Sequence, residues 1–366
     1  MAARAPVPAD LVLLSARIWT GETGRPRAEA LAAREGRIVA IGANHEIEAL
    51  AGPATRAIDG RGRRVLPGLI DAHTHMSMGG FNLLAVDLRH TKDESDLTTQ
   101  LARFAETRPA GQWITDGTWD HQQWPIARLP TRALLDPATG DRPTCVARLD
   151  GHMAVCNSLA LQLAGITRET PDPPGGVIVR DASGEPTGVL KDAAMDAVRA
   201  VRPARTLEEL TEALRAAMKH AAESGVTSIQ DLPGDPRDLE AWGMLRDRQE
   251  LTVRVNYRPS LSDWEKAQEK RAAMNNDGWL WVGGVKGFAD GSLGSGTALF
   301  FEPYEDDPDN RGVYAAEAIP LAALEQRVAA ADRAGLQVEI HAIGDRANAE
   351  ILDVFERVVR ANGKRD

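Results

Sequence analysis

Asp71-Ala72-His73-Thr74-His75 sets two imidazoles two residues apart. In a strand, side chains at that spacing leave the same face, so both rings can reach one ion. Neutral imidazole suits zinc and similar divalent metals. The apolar Leu69 and Ile70 just ahead place the pair at the C-terminal end of a strand, where barrel enzymes carry their sites. A lone H-x-H is a weak signal. With Pro67-Gly68-Leu69-Ile70-Asp71 in front, metal ligation is the reading carried forward.

The elements that must position such a pair follow from the patterning on either side. Before it, Asp10–Trp19, Ala30–Ala33, Gly36–Ile41, Arg56–Asp59 and Arg64–Leu66 read as short strands joined by turns, a small β-rich module. After it, Leu97, Leu101 and Phe104 recur at helical spacing over 94–106. Residues 109–192 break the rhythm with prolines, glycines and the tryptophans Trp113, Trp119 and Trp124, as an inserted subdomain over a barrel mouth would. Those rings fit a local core and a substrate-facing lid equally well.

From Thr206 onward strands and helices alternate. Thr206 and Glu209 match a capping box ahead of Leu207, Leu210, Leu214 and Met218 on one helical face. Gly225 ends that helix, and 226–231 reads as a strand. Further strands are expected at 251–257, 280–288 and 336–341, with helices at 237–249, 262–274, 320–334 and 346–362. Such alternation implies βαβ units around a parallel sheet, either an incomplete barrel or an open doubly wound sheet.

Composition narrows the partners. Lysine and arginine total 43 against 53 acidic residues, a net charge of −10, which disfavours a nucleic-acid partner. The two cysteines, Cys145 and Cys156, are expected as buried apolar residues, since C-x-x-C zinc spacing is absent. No signal peptide and no membrane-length apolar run appear, so a soluble cytoplasmic protein acting on a small molecule is expected, without a membrane partner and with a homo-oligomer left open.

LPGLIDAHTH after a short β-rich module resembles the amidohydrolase superfamily, whose first barrel strand carries H-x-H. More narrowly the chain resembles amidohydrolase family 3, the branch that includes N-substituted formamide deformylases. The stretches LDGHMAVCNSLAL, GGVIVRDASGEPTGVLKDAA, GVTSIQD, GGVKGFADGSLGSGTALFFEPYEDDP and GLQVEIHAIGDRA carry the likeness along nearly the whole chain. It implies an α/β fold, an incomplete TIM-like (β/α) barrel with an N-terminal β-rich sandwich module and an inserted subdomain. The divisions would be 1–66 for the module, 67–108 for the start of the barrel, 109–192 for the insert and 193–366 for the barrel's continuation.

Carried over position by position, the resemblance implies His73, His75, Lys286 and His341 as metal ligands, with Lys286 carbamylated and one or two divalent ions, zinc foremost. A lysine must be neutral to react with carbon dioxide, and burial among apolar residues would favour that. His152 with Asn157 resembles the family's substrate-side segment, and Asp290, Ser292 and Thr297 occupy a Gly-rich loop expected to shape the pocket. Asp231, ending a strand, is a candidate to support the ligands from behind. His45, His90 and His220 receive no role.

Two pieces of the family pattern are not found. No histidine follows position 341, and none of Asp345, Asp353 and Asp366 suits the aspartate of the last barrel strand. The expectation is therefore a fragment of a parent longer by well over roughly a hundred residues, given a barrel of about 250. The parent would hydrolyse a carbon–nitrogen bond, other than a peptide bond, in an amide-like small molecule by a metal-activated hydroxide. The general-base aspartate would lie beyond residue 366, leaving this chain nearly inactive. An inactive barrel acting as a binding protein, and a metal hydrolase for esters, lactones or deamination, are the other readings.

Overall fold

The computed structural model describes residues 7–364 except 150, 152, 174, 175, 275, 276, 292, 294, 295 and 306. The chain divides into two compact units, Met1–Ile70 and Asp71–Asp366.

In the first unit Leu11–Leu14 is the hub of a four-stranded sheet. It pairs antiparallel with Ala30–Arg34 and parallel with Arg56–Asp59, and Arg37–Gly42 extends the far edge. Strand alternation turns Val12, Ala30 and Ala32 to one face, where Ile47 of the short helix Asn44–Glu48 closes a small core. A second sheet orders Arg27–Ala28, Arg17–Trp19 and Arg64–Val65.

The second unit is built on parallel strands. Leu69–Thr74, Val226–Asp231, Arg254–Tyr257 and Leu280–Val282 form one sheet in that spatial order, and Gly284–Phe288 pairs with Gln337–His341 in another. A parallel bridge between Ser260 and Lys286, with the Lys286 amide donating to the Pro259 carbonyl at 2.8 Å, links the two. The single strand expected over 280–288 is thus broken at Gly283 so that its halves serve different neighbours. A Cβ at Gly284 would stand 2.2 Å from the Gln337 carbonyl, so only glycine permits that approach. These six strands, most of them separated by helices, are not closed into a barrel by the described residues.

Each helix is cut as its local chemistry dictates. Glu94–Glu106 starts where Asp93 accepts the Asp96 amide at 2.8 Å, and it buries Leu97, Leu101 and Ala105. Leu207–Glu223 opens on a reciprocal capping box, with the Glu209 amide on Thr206 Oγ1 at 3.2 Å and the Thr206 amide on Glu209 Oε2 at 2.6 Å. Gly225, at φ +76°, then turns the chain into the strand Val226–Asp231.

Residues 114–192 make their own five-stranded mixed sheet, ordered Gly176–Arg180, Pro186–Asp192, Met153–Cys156, Thr144–Arg148, Ile114–Trp119. Trp119 and Trp124 are buried in its core, their indole N–H groups donating to the Val146 and Thr91 carbonyls at 2.8 and 2.9 Å. Between core and lid, the structure selects core for these two rings. Cys145 and Cys156 are register partners on adjacent antiparallel strands and are joined as a disulfide. This corrects the expectation of two simple buried apolar residues: burial is right for Cys156, but the sulfurs are bonded to each other. Among the described residues no helix is long and apolar enough to cross a membrane.

Candidate metal centre

His73 and His75 owe their placement to the residues between and beyond them. The Thr74 carbonyl accepts the Leu232 amide at 2.8 Å, and the Thr74 hydroxyl donates to the Gln230 carbonyl at 3.0 Å. The Met76 amide donates to Asp231 Oδ1 at 2.8 Å, at the start of the helix Met76–Leu84. With 74 and 76 bonded toward the next strand and its buried aspartate, 73 and 75 are left to share the other face. Their ring centroids lie 5.6 Å apart. His75 Nδ1 lies 3.3 Å from the Pro233 carbonyl, so an N–H there leaves the Nε2 lone pair outward.

Lys286 is 3% exposed. Its strand neighbour Val285 packs among the helices, and alternation sends Lys286 to the opposite face. Burial lowers its pKa, and the Glu339 and Glu317 carboxylates partly offset that shift. His341 stands beside Phe288 in strand register, and their rings are 5.4 Å apart, with the Lys286 ammonium nitrogen 5.3 Å from the same Phe288 ring. His341 Nε2 is 2.8 Å from the Gly291 carbonyl, which favours a proton on that nitrogen and leaves Nδ1 as the lone-pair donor.

These strands bring His73, Lys286, Glu339 and His341 to the wall of one cavity of about 410 Å³. The His73 pKa is lowered first by desolvation, then by the positive field of Lys286 and the other two histidines, against a raising field from Glu339. Glu339 and Phe288 did not stand out in the sequence. Their one signal is alternation: Glu339 is two residues before His341, and Phe288 two after Lys286, so each shares a face with an expected ligand.

The other expected positions fall elsewhere. Asp290 is buried and accepts the amides of Leu299, Ile343 and Gly344 at 2.8, 3.0 and 2.8 Å, so it ties the Gly-rich loop to the turn after His341. Its carboxylate also approaches His341 Nε2 at 3.7 Å. Asn157 is 1% exposed with every polar valence in use. Its oxygen accepts from Thr144 and Ala160 amides at 3.0 and 2.9 Å, and its nitrogen donates to Thr139 Oγ1 and the Arg142 carbonyl at 2.9 and 2.8 Å. The Asn157 carboxamide and the Asp290 carboxylate are thus engaged by backbone and side-chain partners within the scaffold. His152 and Ser292 lie outside the described residues. Asp231 is fully buried, and its carboxyl accepts from Met76 and, at 2.7 Å, from the Trp242 indole, consistent with support from behind the histidine pair.

Among the described residues no three His, Cys, Asp or Glu side chains stand together closely enough to hold a metal by themselves. The donor chemistry nonetheless fits one. Two imidazoles each have one nitrogen engaged by a backbone carbonyl, the arrangement that fixes a ligand's tautomer and aims its other nitrogen. A buried lysine with a lowered pKa faces the same cavity and could add oxygen donors as a carbamate.

A family model described as the Amidohydrolase family matches residues 56–366. The chain is 37% identical over 99% of its length to Protein LONG AFTER FAR-RED 3 of Arabidopsis thaliana, of which it covers 64%. It is 26% identical over 96% of its length to the N-substituted formamide deformylase of Arthrobacter pascens, covering 66% of that protein. Among solved structures, an uncharacterised metal-dependent hydrolase from Pyrococcus horikoshii superposes with a TM-score of 0.76 at 28% identity, covering 95% of this chain and 68% of that one. The chain spans a little under two thirds of the length of each of these two curated relatives.

Proposed function

The chain belongs to the amidohydrolase family, and on that premise we propose that the whole protein is a metal-dependent hydrolase of carbon–nitrogen bonds, other than peptide bonds, in small amide-like molecules. The observation that carries this reading is the convergence of His73, Lys286 and His341, from three distant strands, on one cavity beside His75.

In this reading His73, His75 and His341 hold the ion through the ring nitrogens not engaged by backbone carbonyls. Zinc is the first candidate, because imidazole with oxygen donors suits it. A divalent metal, when bound, supplies Lewis acidity toward a substrate carbonyl and lowers the pKa of water.

The chain's own residues prepare that chemistry. Burial favours the neutral Lys286 amine, whose nitrogen can bond to the carbon of dissolved carbon dioxide while its proton leaves to solvent, giving an anionic carbamate. Phe288, itself partly exposed, places its ring near both Lys286 and His341. Asp290 fixes the turn that aims His341, through the three amides it accepts. The proton transfer to the leaving amine is assigned to none of these residues.

The likeness to a formamide deformylase supports an N-acyl or N-formyl substrate class. A panel of N-formyl, N-acyl and ester compounds, offered to the full-length protein with added zinc, tests it. Amide turnover that vanishes in His73→Ala and His341→Ala is the expected result. Turnover confined to esters, or amide turnover indifferent to both substitutions, overturns it.

A further inference from the structure

A second cavity, of about 300 Å³, shares no wall residue with the one lined by His73, Lys286 and His341. Its size is at the lower end of the range for small-molecule sites, about 300–1,000 Å³. The helices Met76–Leu84 and Glu94–Glu106, the strand Ile114–Trp119 and the first turn of Leu207–Glu223 all contribute to its wall. Phe81, Phe104 and Trp113 supply rings, and Arg108, Arg202 and Arg205 supply guanidiniums.

Arg205 has donors to spare. Its guanidinium carbon stands 3.4 Å from the centre of the Phe81 ring, the distance of face-to-face stacking. A guanidinium stacked in that way keeps its N–H fork in plane, ready for a planar anion. The side chain is only 24% exposed, yet among the described residues nothing accepts a hydrogen bond from it. Its one carboxylate neighbour, Asp116, lies 3.6 Å from Nη2, beyond hydrogen-bond reach. Burial lowers the Arg205 pKa, Asp116 offsets part of that shift, and the positive field of Arg202 lowers it further. Arg108, by contrast, donates to the Leu84 carbonyl at 3.0 Å.

The acidic residues of the wall balance the arginines by count, but their oxygens serve other donors. The Glu209 carboxylate accepts the Thr206 amide and hydroxyl at 2.6 and 2.8 Å, and Asp116 accepts the Thr115 hydroxyl at 2.9 Å. Glu212 is exposed. Two neighbouring guanidiniums, one of them half-buried, are thus left facing a partly apolar cavity with their forks unfilled. We propose that this cavity binds a small organic carboxylate with an apolar body. The carboxylate takes the Arg205 fork beside Arg202, and the body packs against Phe104 and Trp113. This site goes beyond the metal-centre reading and does not depend on it.

Calorimetric titration of the full-length protein with benzoate and hexanoate tests the proposal, with benzamide as the uncharged match. Saturable carboxylate binding is expected, with benzamide weaker than benzoate by about tenfold or more, since it offers no anionic acceptor pair. Arg205→Met keeps an apolar stem over Phe81 but removes the fork, and should weaken both carboxylates by about tenfold or more. If that variant does not fold by circular dichroism, Arg202→Gln replaces it, with a loss of about twofold to fivefold expected for one partly exposed charge.

No saturable binding of either carboxylate, benzamide binding as tight as benzoate, or affinity unchanged in the arginine variant overturns the proposal. His73→Ala separates this site from the metal centre. Carboxylate binding should be unchanged there, and binding lost in His73→Ala would place the anion at the metal centre and overturn the second site. The metal reading is tested apart from this, by the amide turnover of the same variant.

Discussion

Asp231 shows how a single buried carboxyl can connect the histidine strand to the pH response of the whole fold. Desolvation raises its pKa from 3.8 to about 7, against the lowering effect of the Met76 amide and the Trp242 indole. A carboxyl raised in the folded state binds its proton more tightly there than in the unfolded chain. Its contribution to stability is therefore complete below about pH 4 and is lost as pH rises through about 7. Urea unfolding of wild type and Asp231→Asn at pH 5 and pH 8 reads this directly. Wild type should lose stability over that interval by more than the variant does, and parallel pH dependence would refute the assignment. The neighbouring Asp238 is also raised by burial, so the variant is expected to flatten the dependence only in part.

At the scale of elements, two joints hold the framework around the candidate centre, and neither is a ligand. Asn157 caps the helix Ser158–Leu163 and also bonds the strand Thr144–Arg148 and the turn before it. Asn157→Ala removes four hydrogen bonds and leaves the Thr144 and Ala160 amides without their side-chain acceptor, which should cost about 2–4 kcal/mol in chemical denaturation. Zinc affinity of the folded variant should stay at the wild-type value, since Asn157 belongs to the insert's sheet rather than to the cavity wall. The second joint is Gly344, where a Cβ would stand 1.8 Å from the Leu299 carbonyl. Gly344→Ala must push apart the loop and turn that Asp290 ties together. A melting temperature lower by several degrees is expected, with weaker zinc binding because His341 ends the strand that leads into the displaced turn. A variant matching wild type in both would mean the contact is not tight in solution.

For the molecule as a whole, the proposed ligands come from parts of the chain far apart in sequence, His73 in one strand with His75 just past its end, and Lys286 and His341 in two others. An ion bound only by the assembled strands stabilises the fold by mass action, roughly 2.7 kcal/mol at a hundred times its dissociation constant. Chelation should lower the melting temperature, and added zinc should restore it. A melting curve indifferent to chelator would argue against a site that spans those strands.

Local order was legible from the chain alone wherever near neighbours decide it. The capping box at Thr206 and Glu209, the strand Val226–Asp231 and the helix Glu94–Glu106 all stand where periodicity and capping chemistry put them, because those signals act over a few residues. The alternate histidines at 73 and 75 were legible for the same reason. What tertiary structure alone decided is which distant side chains meet. Strand register placed Glu339 beside Lys286, and burial turned Asn157 and Asp290 inward to serve the scaffold. Pairing across two strands joined Cys145 to Cys156, and the bulk of the Arg258 guanidinium filled the space that Gly284 leaves open. A sequence pattern states which face a residue takes on its own strand, but the partner on that face is set by how separate strands align, and no local spacing encodes that alignment.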